Sequence, residues 1–443
     1  MREVLWQWPE ICAALGLPEH SGPEVKGVVV DSRLVREGDL FVALPGDPGP
    51  RFTATSISEV DGHDYVANAA VNGAVGAIVH REVKVDAPLL HVDNTYDALW
   101  RFGAAARQRI NAPTVAITGS SGKTTAKTYF LQATRGYGSP GSFNNHIGVP
   151  LTLINAPLNA PLYAFEIGTN HPGEIAPLAE LAAADAAVLL NVQSAHIENF
   201  ANQAALRDEK VSIFSALSDK DHAVWEETLG LSFGHAFGTR QGSACRLLDL
   251  KGDRGVYELF GQQLSAKVPD GARHSAMTVA AVLLTLELLS FDLEGALSLD
   301  QAALPAGRGN TIETGDICIV DQSYNANPDS MAAALDAFTS TQAARHIVVL
   351  GEMLELGGLS EAAHQRVVES LGARFEHVFL VGEGFERSAM QADLFWRESA
   401  DAQLVDTLLN TLQPGDAIML KGSNRVFWQK NFVEELVERV RKR

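Results

Sequence analysis

This sequence predicts an α/β protein of several domains built on mostly parallel sheets. The length is 443 residues, and at roughly 150 residues per domain it points to about three. Short apolar runs alternate with helix-length stretches of crossover size, which is the pattern of βαβ units. A glycine loop, Thr118–Thr125, stands directly between a strand-like and a helix-like segment.

Residues 25–110 read as a small α/β unit, with runs at Val28-Val29-Val30, Leu40–Leu44 and Ala77-Ile78-Val79 and a helical stretch near Tyr65–Asn72. From Pro113 the pattern restarts. Thr114–Ile117 is a strand candidate, Ala126–Ala133 a helix, and Tyr163–Ile167 and Ala187–Val192 are further strands, each followed by polar residues. A second boundary is expected near Leu304-Pro305-Ala306-Gly307, where Pro and Gly punctuate the chain. Beyond it, Ile317–Val320, His346–Leu350, His377–Val381 and Ala417–Leu420 form a second βαβ array. The expected division is therefore 1–110, 111–304 and 305–443.

Hydrophobic residues make up 46% and charged residues 20%, the balance of a globular protein with a full core in each domain. The net charge is −19, and Arg439, Arg441, Lys442 and Arg443 form the only basic cluster. A surface that wraps nucleic acid does not fit this balance. Anionic ligands then need local devices such as glycine loops and single cations. Cys12, Cys245 and Cys318 are far apart and in no CxxC pair, so neither a zinc site nor a disulfide framework is indicated, and a reducing cytoplasm is expected. The opening MREVLWQWPE lacks the apolar core of a signal peptide, and no run approaches a membrane span.

The sharpest local signal is Thr118-Gly119-Ser120-Ser121-Gly122-Lys123-Thr124-Thr125. Its glycines let backbone N–H groups wrap phosphate oxygens, Lys123 can reach the outer phosphates, and the Thr124 hydroxyl can join a Mg²⁺ shell. The full GxxxxGK[ST] pattern is not met, because Ile117 stands where that pattern has its first glycine. Glu166 and His196 each follow a strand candidate, where parallel sheets place ligands. Taken singly, each is better explained as an ordinary loop or turn residue.

Several strings together resemble the Mur ligase family, and within it the MurF type. They are Asp31-Ser32-Arg33 with Gly38–Leu44, TGSSGKTT, Asn144–Thr152, Glu166–Glu174, Ser194–Phe200, Ser323–Ser330 and Leu350–Gly357, in that order along nearly the whole chain. SYNANPDS and MLELG separate this type from its relatives, and the DNPR string of the diaminopimelate-adding ligase is absent.

The resemblance implies three domains: one for the UDP end of a substrate, a central P-loop ATPase domain and a C-terminal Rossmann-like domain. It implies an ADP-forming amide ligase in peptidoglycan precursor synthesis that activates a UDP-muramoyl tripeptide carboxylate with ATP and joins it to a D-amino dipeptide. On the same analogy, residues 119–125 hold phosphates, with Arg308 and Gln322 also at the nucleotide. Lys123, Glu166, His196 and Lys210 are the catalytic set, Thr124 and Glu166 serve one Mg²⁺, and His196 with a carbamylated Lys210 serves a second. Asp31, Ser32, Arg33 and Phe41 would cradle the UDP end, while Asn144, Asn145 and Asn170 would face the sugar-peptide portion. A cytoplasmic monomer is expected.

Three departures stand out. His274-Ser275-Ala276-Met277-Thr278 lacks the two amides of HNxxN, Gln322 replaces an acid expected at the ATP ribose, and Gly46–Val60 is longer than the usual connection. Two alternatives follow: a Mur-like ligase with another acceptor, or a silent nucleotide-binding paralogue.

Overall fold

The computed structural model describes residues 2–52, 58–300, 304 and 307–443. Within these residues the strands gather into three sheets, in chain order. Pro305 and Ala306 of the expected boundary, and residues 53–57 of the long connection, lie outside the described residues.

The first sheet is β1 (Gly27–Val29), β2 (Asp39–Val42), β3 (Ala74–Val79) and β4 (Leu89–His91), parallel throughout in that order. The second contains β5 (Thr114–Thr118), β6 (Tyr137–Gly138), β7 (Tyr163–Glu166), β8 (Ala186–Leu189), β9 (Ala223–Glu226), β10 (His235–Gly238), β11 (Cys245–Lys251), β12 (Arg254–Leu259) and β13 (Gln262–Lys267). Its spatial order is β13-β12-β11-β10-β9-β8-β5-β7-β6, parallel except at the β11–β12–β13 meander. β5, β7 and β8 are buried along their whole length, which is why they read as continuous apolar runs: helices cover both faces. The third sheet holds β14 (Asn310–Thr314), β15 (Ile317–Gln322), β16 (Arg345–Gly351), β17 (His377–Val381), β18 (Phe395–Arg397) and β19 (Asp416–Lys421), in the order β14-β15-β19-β16-β17-β18. Only the β14–β15 pair is antiparallel.

The sequence reading missed the β11–β13 meander. Its strands mix exposed polar with buried residues, so no apolar run marks them. β8 ends at Leu189, short of the expected Val192, because Asn191 turns its side chain into the glycine loop. The helix after that loop begins at Lys123, ahead of the expected Ala126, since Gly122 takes a left-handed conformation at φ +81° and opens the first turn there.

Packing separates the units unequally. One core runs from the first sheet into the second, including Trp6, Ile11, Leu40 and Ile78 together with Ala116, Phe165 and Ile175. The third sheet has its own core on each face.

Candidate active site

Three adjacent strands of the second sheet end at one edge, β7, β5 and β8 in spatial order. Parallel strands bring their carboxyl ends together, so Glu166 at the end of β7, the loop after β5 and Asn191 after β8 become neighbours. Asn191 Oδ1 accepts from the backbone N–H groups of Ser120 and Ser121 at 3.0 Å each. Ser121 Oγ donates to Gln193 Oε1 at 2.9 Å, and Lys123 Nζ donates to the Gly119 carbonyl at 2.7 Å. The loop is thus held open by side chains from the next strand.

Glu166 is only 1% exposed. Its Oε2 accepts from Thr124 Oγ1 at 3.0 Å, and Lys127 Nζ lies 2.8 Å from Oε1. A buried carboxylate needs a counter-charge, and Lys127, itself buried, supplies it while donating to the carbonyls of Ser139 and Gly141. Even so, Oε1 accepts no well-formed hydrogen bond. Thr124 also meets Ser142 Oγ at 3.2 Å, and Arg308 Nη2 donates to that hydroxyl at 2.7 Å. This chain of contacts runs from β7 through the glycine loop to the entrance of the third sheet.

Thr124, Ser142, Glu166 and Arg308 form part of the wall of a cavity of about 1410 Å³ between the sheets. Of the residues singled out from sequence, Ser120 to Thr125, Asn144, Asn145, Glu166, Asn170, His196, Arg308 and Gln322 line it. Lys210 is not a wall residue. A lysine in Arg207-Asp208-Glu209-Lys210 reads, on its own, as solvated, yet Lys210 is 2% exposed. The helix Gln203–Val211 turns that face inward, and Glu209 accepts from the N–H groups of Gly173 and Ile175.

Asp31, Ser32, Arg33 and Phe41 are not wall residues of this cavity, although Val30 and Leu44 beside them are. The Phe41 ring is 1% exposed in a core with Val35, Ala43 and Val66, so its side chain faces inward and the strand has only its backbone and its end to offer a ligand. Arg33 folds back on Asp31 at 2.7 Å. Asn145 Oδ1 is engaged by the N–H groups of Ile147 and Gly148.

The electrostatics favour anions. Burial pushes Lys123 down to about 8, with Glu166 opposing and Arg308 reinforcing the shift. Lys421, at the end of β19, is pushed down to about 8 by burial and then by Arg308. Lys210 falls to about 7 through burial and the Lys123 charge, with Glu209 opposing. Burial is the first cause in all three, so an anion brought beside Lys123 and Lys421 favours their charged forms.

Thr124 Oγ1 and Glu166 Oε2 are hard oxygen donors 3.0 Å apart, a pair that fits a hard cation, while Oε1 faces Lys127 Nζ. Among the described residues, no group of three or more His, Cys, Asp or Glu side chains could hold a metal ion by itself. A Mg²⁺ ion here would take further ligands from phosphate and water, its usual habit. His196 Nδ1 is paired with Glu355 Oε2 at 2.6 Å, leaving Nε2 as the nitrogen for a ligand.

Sequence reasoning passed over Lys127, Asn191, Gln193, Glu355 and Lys421. Lys127 had a signal, since it lies one helical turn beyond Lys123 on the same face. The others are brought in by neighbouring strands or by another sheet.

A glycine loop, a buried carboxylate and enclosed lysines between stacked α/β sheets define a phosphate-handling enzyme class, and the comparisons give it a family. Residues 117–229 match the Mur ligase middle domain, and residues 307–424 match the Mur ligase, glutamate ligase domain. The UDP-N-acetylmuramoyl-tripeptide--D-alanyl-D-alanine ligase of Escherichia coli is 31% identical, covering 80% of this chain and 81% of that one. Its namesake from Mycobacterium tuberculosis is 30% identical, over 90% and 89%. Among solved structures, MurF ligase from Thermotoga maritima in complex with ADP has a TM-score of 0.76 at 27% identity, over 94% of this chain and 98% of that one. MurF from Acinetobacter baumannii has a TM-score of 0.82 at 24% identity, over 98% and 99%, a likeness of fold. The class is that of the Mur ligases. The chain belongs to the MurF family within it.

Proposed function

We propose that this protein is an ATP-dependent, ADP-forming ligase that adds D-alanyl-D-alanine to UDP-N-acetylmuramoyl-tripeptide in peptidoglycan precursor synthesis. The observation that carries the reading is the convergence of the glycine loop, the Thr124–Glu166 pair and Arg308 on one cavity large enough for several ligands.

A carboxylate has no leaving group, so it must first be activated. The γ-phosphoryl group of ATP passes to the carboxylate oxygen and ADP leaves. The amine of the dipeptide then attacks the acyl carbon, phosphate departs with the C–O bond electrons, and the new amide nitrogen loses a proton. In this reading residues 119–125 hold the phosphates, Lys123 and Arg308 balance charge as it moves, and Gln322 faces the ribose. Asn144 and Asn170 border the muramoyl-peptide side of the cavity.

Thr124 and Glu166 would hold one Mg²⁺ and His196 with Lys210 a second; bound there, the ions offset charge on the transferring phosphoryl group. Lys127 keeps the Glu166 carboxylate in place. An amine held near 7 is substantially neutral at physiological pH, which supports capture of CO₂ by Lys210 to give an anionic carbamate. The domain roles follow the division 1–110, 111–304 and 305–443, and the protein works as a cytoplasmic monomer. No helix among the described residues is long and apolar enough to cross a membrane.

The test is phosphate release measured over a matrix of UDP-muramoyl tripeptides and D-amino dipeptides, with Lys210→Ala assayed with and without acetate. Release only with both substrates present, and partial recovery of the variant by acetate, is expected. Equal release with unrelated acceptors would move the protein to the alternative ligase reading, and none with any pair to the silent paralogue.

A further inference from the structure

We propose that Glu355 is a positioning residue for the reaction: it reaches from the third sheet to orient His196, so that docking of the C-terminal unit and completion of the His196 metal position are one linked event.

Four observations meet at this seam. Glu355 Oε2 lies 2.6 Å from His196 Nδ1, across the cavity from one sheet's loops to the other's. Both residues sit in the left-handed region at φ +62°, which non-glycine residues seldom occupy and which the surrounding structure must hold in place. Ser194 N donates to Asp329 Oδ2 at 3.4 Å, a second link between the same two units. Gly357 stands against Glu198 so closely that a Cβ at 357 would lie 2.9 Å from Glu198 Cβ, and its φ of +51° also favours glycine. The loop carrying His196 is therefore pinned at three points from the third sheet.

The chemistry gives the contact direction. A carboxylate on Nδ1 fixes that nitrogen as the protonated one and presents the lone pair of Nε2, the arrangement that raises imidazole basicity toward a metal. Here the carboxylate comes from a different unit than the imidazole. If docking strengthens metal binding, metal binding strengthens docking by the same factor. Half of the Glu355 side chain is exposed, so burial does not account for its placement.

The inference rests on the reading of His196 as a metal ligand, and the experiment separates the two. Mn²⁺ is titrated into the full-length protein saturated with a non-hydrolysable ATP analogue. Free metal is read by electron paramagnetic resonance, and the radius of gyration by X-ray scattering at each metal concentration. Wild type should compact as metal binds. Glu355→Ala should weaken the second Mn²⁺ by about 10- to 100-fold and lose metal-dependent compaction, with kcat falling more than the KM for ATP rises. Glu355→Gln, whose oxygen still accepts from Nδ1–H, should restore part of each. If His196→Ala leaves Mn²⁺ affinity unchanged, the ligand reading fails and the inference with it. If His196→Ala weakens Mn²⁺ but Glu355→Ala does not, or tightens it, the linkage alone is overturned.

Discussion

The two junctions of this molecule are built in opposite ways. Between the first and second sheets the contact is a continuous core: Trp6 donates its indole N–H to the Ile154 carbonyl at 2.9 Å, and Asn155 both accepts from and donates to the backbone of Val28. Gly103 lets the helix Thr95–Gln108 approach Pro150 so closely that a Cβ would lie 2.8 Å from the proline ring. Between the second and third sheets the links are polar and few, such as Arg308 to Ser142, Glu355 to His196 and Ser194 to Asp329, and they surround the cavity. An apolar junction resists separation in every state, whereas a polar seam exchanges its partners for water or ligand at small net change. On the proposed function, the first junction would hold the unit for the UDP end beside the phosphate loop, and the second is the one whose opening would admit substrates.

The largest expected effect comes from breaking the first junction. Trp6 is 4% exposed, packs edge-on against Phe102 at 4.6 Å and carries the Arg109 guanidinium 3.7 Å above its ring. Trp6→Ala should destabilise the protein by about 3–5 kcal/mol, read as a lowered urea midpoint, while the folded fraction keeps its kcat. A loss under about 1 kcal/mol would mean that the shared core is not what joins these units.

Breaking the second junction should do the reverse. Arg308→Ala removes the link to Ser142 and a guanidinium 3.9 Å over Tyr324. Stability should stay within about 1 kcal/mol, while kcat/KM for ATP falls roughly 100-fold if, as the proposed function has it, Arg308 balances charge on the transferring phosphate. Normal kinetics in a destabilised variant would make Arg308 a structural strut and the seam as fixed as the other junction.

The same contrast explains what was legible in the sequence. The loop around Lys123, Glu166 at a strand end and the four main strands of the third sheet depend on local pattern, and they lie where that pattern puts them. Phe41 sits in a run of five apolar residues, and such a run reveals a strand without revealing what covers each face. Lys210 is buried by tertiary packing that overrides the polar look of its neighbours. Asn191, Glu355 and Lys421 acquire meaning only once strands far apart in sequence align their ends, and no spacing records that alignment. Gln322 is the intermediate case. It lines the cavity while Asp321 is 3% exposed and accepts from Ser323 N at 3.0 Å, the alternation expected of a strand.

The smallest effect sharpens the comparison, because it asks whether the seam is charged for a ligand. Lys123 and Lys421 come from opposite sides of it, and each is pushed down to about 8, largely by burial. At pH 8 each is then about half neutral. Phosphates entering between them favour the charged forms and draw both values back up, so binding must take up protons, about one in total at that pH and fewer toward pH 6, where both amines are already charged. Without nucleotide the unfolded chain, with lysines near 10.4, holds more protons than the folded one between pH 8 and 10, so stability rises with pH across that window, and nucleotide should flatten the rise. Calorimetric titration of a non-hydrolysable ATP analogue in buffers of different ionisation enthalpy reads the uptake directly. Lys421→Met should remove about half of it. Zero uptake at pH 8, or an unchanged value in Lys421→Met, would mean that the lysine of the third sheet does not face the phosphates and that the seam closes on something other than the nucleotide.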